Sequence, residues 1–219
     1  IKAASKSGIM LMIAETARFR QINLKLKELL ERDYIGEIFL VRIFRDHEMH
    51  DYLLERPWFL DKKMAGGGIW MSGGIHDVDA LRMLVGEVET IALFQAKSVF
   101  HEMEGDDTVA ALLRFRNGAV GAVTESFSTK TFRRITPNGC PSILNGSTGT
   151  ITVISDEIEI YGEKSVNANT CIRVKVEEKD AILEEIKHFI DCIKFGEKPI
   201  TSGEEERRTL AVICAGYES

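Results

Sequence analysis

The chain reads as an α+β fold, a mostly antiparallel β-sheet with helices on one face. Three features predict it. Between Val88 and Val176, short apolar stretches follow one another at close intervals, separated by turn residues, which is the pattern of a strand meander. Two segments with helical apolar spacing, Asp180 to Phe195 and Ser202 to about Tyr217, close the sequence. Its 219 residues, 44% of them hydrophobic, suffice for one large core and are too few for two full-size domains.

In chain order, Lys2 to Ser7 reads as the tail of a helix ended by Gly8. Ile9 to Ala14 follows as a short buried strand of the continuous apolar kind found in parallel sheets. Gln21 to Arg32 sets Ile22, Leu26 and Leu29 among lysines and glutamates, giving a surface helix with one apolar face. Ile38 to Phe44 is a strand, and the stretch after it is irregular as far as Ala65. A long helix runs from about Ile69 to Val85 and stops at Gly86. Strands are expected at Val88 to Lys97, Asp107 to Arg116, Ala119 to Ser128, Ser142 to Gly146, Thr150 to Ser155, Glu157 to Tyr161 and Cys171 to Val176. Asn117-Gly118 is the strongest hairpin signal, because both residues accept the positive φ of a type I′ turn. Ser202-Gly203-Glu204-Glu205 resembles a capping box at the start of the last helix. In Val109 to Leu113 and Val120 to Val123, small apolar residues occupy both faces, so the outer face is expected to pack on a second copy of the chain.

A formal net charge of -6 with interspersed acids and bases argues against nucleic-acid binding. No segment approaches the roughly 20 apolar residues of a membrane span. Cys140, Cys171, Cys192 and Cys214 lack C-x-x-C spacing, so reduced thiols in a cytoplasmic protein are expected.

The run from Gly66 to Asp79, Gly-Gly-Gly-Ile-Trp-Met-Ser-Gly-Gly-Ile-His-Asp-Val-Asp, is the place for chemistry. On a helix Ser72 and His76 share a face, and Asp79 falls near the same stripe. Gly73 and Gly74 each cost a helix roughly 1 kcal/mol relative to alanine, which indicates something needing close access to the backbone. Two readings stand for His76, a hydrogen-bonded core histidine or a proton-transfer group. Asp46-His47-Glu48-Met49-His50-Asp51 reads as a metal site, a solvated loop or a wall of the active site; metal binding is not expected, because no partner cluster exists. Trp58 either stacks on a ligand or packs over the glycines. Asp106 and Asp107 point to opposite faces of a strand and read as edge solubilisers. Thr124, Glu125 and Ser126 are polar residues within a sheet that could reach the pocket.

The glycine run resembles the Gly-Gly-Gly-x3-Asp-x3-His pattern of the glucose-fructose oxidoreductase, inositol dehydrogenase and rhizopine-catabolism (Gfo/Idh/MocA) family, with Ser72 in place of the aspartate and His76 matching the histidine. Met10 to Phe19 is similar to the family's last nucleotide-domain strand and the turn after it. Gly36-Glu37-Ile38, Pro57-Trp58-Phe59, Asn117-Gly118, Asn145 to Thr150 and Ala215 to Ser219 fall in the family's order. The resemblance implies a remnant of a Rossmann domain over residues 1–15 and a dihydrodipicolinate-reductase-like substrate-binding and oligomerisation domain over residues 16–219.

It further implies an oxidoreductase that transfers a hydride between NAD or NADP and a sugar, polyol or related hydroxyl compound. His76 would exchange the hydroxyl proton, and Ser72, Trp58, Arg18 and Asp79 would lie about the substrate, Asp79 orienting His76. Arg18 is read equally as a surface charge. The family's G-x-G-x-x-G turn and Glu-Lys-Pro motif belong to a half that does not precede Met10 here, so the cofactor is expected mainly on that half and this fragment alone is expected to be inactive. Glu197-Lys198-Pro199 spells the tripeptide but reads as an ordinary helix exit after Gly196. The partners implied are a small sugar or polyol and further copies in a homodimer or homotetramer. A non-catalytic binding or assembly module and a cofactor-assisted glycoside-cleaving enzyme are the alternatives.

Overall fold

A computed structural model describes residues 1–96, 99–130, 139–162 and 171–219. The chain runs through α1 (Lys2–Lys6), a 3-10 turn (Thr16–Phe19), α2 (Gln21–Glu31) and β1 (Ile38–Asp46). Three short helices follow, α3 (His50–Leu54), α4 (Pro57–Leu60) and α5 (Lys62–Ala65), and then a π-helical turn (Trp70–Gly74) that leads into α6 (Ile75–Leu84). The strands are β2 (Val88–Gln95), β3 (Thr108–Phe115), β4 (Val120–Ser126), β5 (Ile143–Gly146), β6 (Gly149–Ile154), β7 (Glu157–Gly162) and β8 (Ile172–Lys175), followed by α7 (Ala181–Phe195) and α8 (Gly203–Glu218).

All eight strands form one sheet in the order β2-β3-β4-β1-β5-β6-β7-β8, so the expected α+β architecture is present. Every neighbouring pair is antiparallel except β1 and β4. That exception follows from connectivity: the chain leaves β1, passes through four helices and two strands, and returns beside it in the same direction, as a parallel pair requires.

The pleat sorts the side chains. In β3, Val109, Ala111, Leu113 and Phe115 are at most 3% exposed, whereas Leu112 on the opposite face is 61% exposed. The inner face packs with Trp70, Val78 and Leu81 of the central helical segment and with Ile22 and Leu26 of α2 in one core. Burying each such large side chain contributes about 1.5–3 kcal/mol.

The structure departs from the sequence reading in four places. Ile9 to Ala14 is not a buried strand. Its backbone makes one isolated bridge, Met12 to Ser202, and Ile9, Leu11 and Ile13 are exposed, because a continuous apolar strand is covered only with neighbours on both sides. The 46–65 stretch is helical in part, since Pro57 opens α4 with a preset φ and the Asp61 carboxylate accepts from the N–H groups of Lys63 and Met64. Of Asn117-Gly118 only Gly118 has positive φ, at +88°. Its N–H donates to the Phe115 carbonyl, closing a type I turn ahead of a left-handed glycine, while the Asn117 side chain donates to the Val85 carbonyl and ties the hairpin to the end of α6. The long helix begins as the π-turn. Lys97, placed on a strand by the sequence reading, lies outside the described residues.

Candidate active site

Gly66 closes α5 in the left-handed region at φ +81°, and the other glycines of the run are packed too tightly for a Cβ. A Cβ on Gly68 would lie 1.9 Å from the Asp106 carbonyl oxygen, and one on Gly74 would lie 2.5 Å from the Trp70 ring. The close approach lets Asp106 cap the π-turn: its carboxylate accepts from the N–H groups of Gly68 (3.1 Å) and Trp70 (2.9 Å) and from the Tyr217 hydroxyl (2.7 Å), and its carbonyl accepts from Ile69. Asp106 is therefore a structural cap, not an edge solubiliser. Asp107 is a second cap, 1% exposed; burial works against its charge, but the N–H groups of Phe100 and Val99 and the Ser128 hydroxyl hold its carboxyl below the usual range.

The segment so positioned forms one wall of a cavity of about 170 Å³. Ser72, Gly73 and His76 line it from the helix, Arg45 and His47 from the end of β1 and just beyond. Met49, Tyr52, Leu53, Phe59 and Phe127 supply an apolar side. Ser72 and His76 thus meet in one pocket, as their spacing predicts. The Ser72 hydroxyl donates to the Gly68 carbonyl at 3.0 Å.

His76 stands at the start of α6 with a side chain 40% exposed. Its Nδ1 lies 2.8 and 2.9 Å from the two carboxylate oxygens of Glu15. Glu15 is 4% exposed and fixed in turn by accepting from the Ala17 N–H at 3.0 Å. A carboxylate at Nδ1 places the proton there and leaves Nε2 as the basic ring nitrogen. Burial disfavours the imidazolium, but the hydrogen bond and charge of Glu15 outweigh it and raise the His76 pKa above its ordinary value.

Asp79 does not orient His76. It is fully buried and accepts two hydrogen bonds from Arg18, at 2.6 and 2.8 Å, and one from Thr209 at 3.1 Å. Arg18 is correspondingly 8% exposed, not a surface charge. The pair belongs to a network with Glu205, Glu206 and Arg82 that joins the 3-10 turn to α6 and α8. Trp58 is 52% exposed, with its ring centroid 4.4 Å from that of Phe59, and does not itself line the cavity. Lys198 pairs with Glu204 at 3.4 Å beside a different hollow, formed with Ile1 and Leu11. No three His, Cys, Asp or Glu side chains among the described residues are placed to hold a metal ion.

Behind Gly73 lies a charge cluster that the sequence reading only touched on. Arg45 pairs with the fully buried Asp77, and Glu125, 1% exposed, abuts Gly73 from the sheet. One guanidinium stands against two buried carboxyls. Burial, followed by the charge of Asp77, pushes the Glu125 carboxyl well above the usual range. Thr124 faces outward, and Ser126 is hydrogen-bonded to Thr108.

Glu206 is perturbed in the same sense. Burial and the charge of Asp79 raise its pKa to about 8 against the opposing charge of Arg18. The Thr209 hydroxyl lies 3.1 Å from both Glu206 Oε2 and Asp79 Oδ1 and donates its single proton between the two carboxyls. A folded-state pKa above the unfolded value contributes stability that is fully present below about pH 4.5 and lost as pH rises through about 8. Glu206→Gln is expected to flatten this slope, which amounts to about 1.4 kcal/mol per pH unit at most. Urea melts at pH 5 and pH 9 check it; an unchanged slope contradicts the assignment.

The glycine run does not offer a dinucleotide cradle. The N–H groups of Gly68, Ile69 and Trp70 are occupied by Asp106, and the cavity is far smaller than a dinucleotide. No helix among the described residues is long and apolar enough to cross a membrane.

The sequence pattern of the GFO/IDH/MocA C-terminal domain matches residues 23–166. Myo-inositol 2-dehydrogenase of Thermotoga maritima is 31% identical over the whole of this chain and 64% of its own length. D-apiose dehydrogenase of Rhizobium rhizogenes is 26% identical with the same coverage, so the chain spans about two thirds or less of these curated relatives. Among solved structures, an oxidoreductase from Agrobacterium radiobacter in complex with NAD+, L-tartaric acid and magnesium superposes with a TM-score of 0.86 at 25% identity, covering all of this chain and 65% of that one. Levoglucosan dehydrogenase in complex with NADH and levoglucosan shares the fold, with a TM-score of 0.84 at 20% identity over all of this chain and 66% of its own.

Proposed function

The chain belongs to the Gfo/Idh/MocA family through its C-terminal domain, and from that premise we propose that it is the substrate-binding half of an NAD(P)-dependent dehydrogenase or reductase of a sugar, polyol or related hydroxyl compound. The observation that carries this reading is that His76, paired at Nδ1 with the buried Glu15, lines a cavity of about 170 Å³. A nicotinamide nucleotide supplies hydride chemistry; its cradle falls to residues other than the described ones of this chain, and NAD against NADP is left to them. His76 Nε2 takes the hydroxyl proton in oxidation and returns it in reduction, with Glu15 holding the imidazolium. Ser72 hydrogen-bonds the substrate where the family pattern has a charged aspartate. The apolar side of the pocket covers ring or chain carbons.

Arg18 and Asp79 act in this reading as a structural tie beneath the pocket, and Trp58 supports Phe59. Residues 1–15 are read as the remnant of the nucleotide-binding domain and residues 16–219 as the substrate domain. The test is an assay of the protein that includes this chain, with NAD(P) and a panel of sugars and polyols, following the nicotinamide absorbance. Turnover of a hydroxyl compound supports the reading; binding of a sugar in the pocket with no turnover of any favours the non-catalytic module.

Oligomerisation through the open sheet face is part of the same proposal. Leu112 (61% exposed) and Phe94 (67% exposed) stand on that face with Phe44 and Val120. A homodimer or homotetramer burying well over about 1,000 Å² is expected. Leu112→Arg places a charge at its centre and is expected to give monomers by light scattering; a monomeric wild-type protein would count against the interface.

A further inference from the structure

The charges around the cavity have a consistent orientation. Its described lining includes Arg45, His47, His76 and Ser72, and no Asp or Glu. Every acid of the site stands one layer back: Glu15 behind His76, Asp77 behind Arg45, and Glu125 behind Gly73. Arg45 and His76 therefore line the cavity while the carboxylates paired with them, Asp77 and Glu15, do not. Arg45 spends two N–H groups, on Asp77 and the Gly73 carbonyl, and the rest of its donors have no partner among the described residues. A neutral polyol brings many hydroxyl donors and finds no carboxylate acceptor here, whereas an anionic group meets charge-assisted donors.

We infer that this pocket takes a hydroxyl compound bearing a carboxylate, a sugar acid or polyol acid, with the carboxylate held by Arg45 and the reacting hydroxyl presented to His76. The inference rests on reading the cavity as the substrate site. Ser72 is its specificity-determining residue: an aspartate at that position would put a fixed negative charge against the ligand's own.

Calorimetric titration of the chain with gluconate and with glucitol, matched in carbon number and differing in the carboxylate, tests it. Gluconate is expected to bind about tenfold tighter or more, with an affinity that falls as salt rises. Ser72→Asp should abolish that preference, and His76→Ala should weaken both ligands. Because Arg45→Met leaves Asp77 buried and unpaired and risks unfolding, Ser72→Asp carries the test, with thermal melting confirming its fold. Glucitol binding as tightly as gluconate, with both weakened by His76→Ala, overturns the sugar-acid inference and leaves the substrate site standing. Tighter gluconate binding untouched by Ser72→Asp and His76→Ala places the anion elsewhere and overturns it. Binding of neither at about 10 mM overturns the inference and counts against the cavity as a substrate site.

Discussion

His76→Ala is expected to lower kcat of the enzyme containing this chain about a hundredfold or more, the usual contribution of a positioned general base, while changing KM less. The expectation follows from geometry: the one ring nitrogen not engaged by Glu15 belongs to a residue lining the cavity. The imidazole is 40% exposed and Glu15 keeps the Ala17 N–H, and thermal melting confirms that the variant is folded before its kinetics are read. Ser72→Ala differs in kind, raising KM through a lost hydrogen bond of about 0.5–1.5 kcal/mol. Steady-state kinetics on the true substrate separates the two; wild-type turnover in His76→Ala would leave the histidine a structural residue.

Asp79→Ala is expected to act on stability instead. Asp79 is fully buried and is the main partner of Arg18, which is itself 9% exposed at its side chain. Removing Asp79 takes two hydrogen bonds from a buried guanidinium that keeps as carboxylate partners only Glu205 at 3.1 Å and Glu206 at 3.8 Å, at a cost of about 3 kcal/mol. For a domain of this size that is a fall in melting temperature of about 10 °C. Calorimetric melting checks it. A variant with unchanged melting and raised KM would restore Asp79 to the substrate.

These two residues show what the sequence carried and what it did not. Ser72 and His76 were legible together because their relation is local, four residues along one helical segment. Glu15 is 61 residues from His76, and no spacing rule joins them; only folding the 3-10 turn against α6 does. Asp79 sat near the right stripe by count, but three residues along α6 do not bring it to His76, and it is buried against Arg18 of the 3-10 turn instead. Arg45, Asp77 and Glu125 come from β1, α6 and β4, so their convergence depends on the parallel pairing of β1 with β4, which strand periodicity does not encode. The antiparallel meander was legible because its turns and alternation are local. Ile9 to Ala14 misled because apolar composition alone specifies burial only when neighbours exist to provide it.

The central claim is that His76, held by Glu15, accepts the substrate proton, and the pH dependence of kcat/KM for oxidation tests it most directly. A general base must be neutral, so kcat/KM rises with pH through the His76 pKa, which Glu15 raises above its ordinary value. Glu15→Gln removes the charge and should move that limb to lower pH by about one unit. Because a raised histidine pKa contributes stability below the unfolded value and loses it as pH climbs through the folded one, the same variant should lose stability chiefly on the acid side. A wild-type midpoint above about 6.5 that falls in Glu15→Gln is the predicted result. A profile identical in the two proteins, or one without an acid limb, would contradict the assignment of His76 as the base.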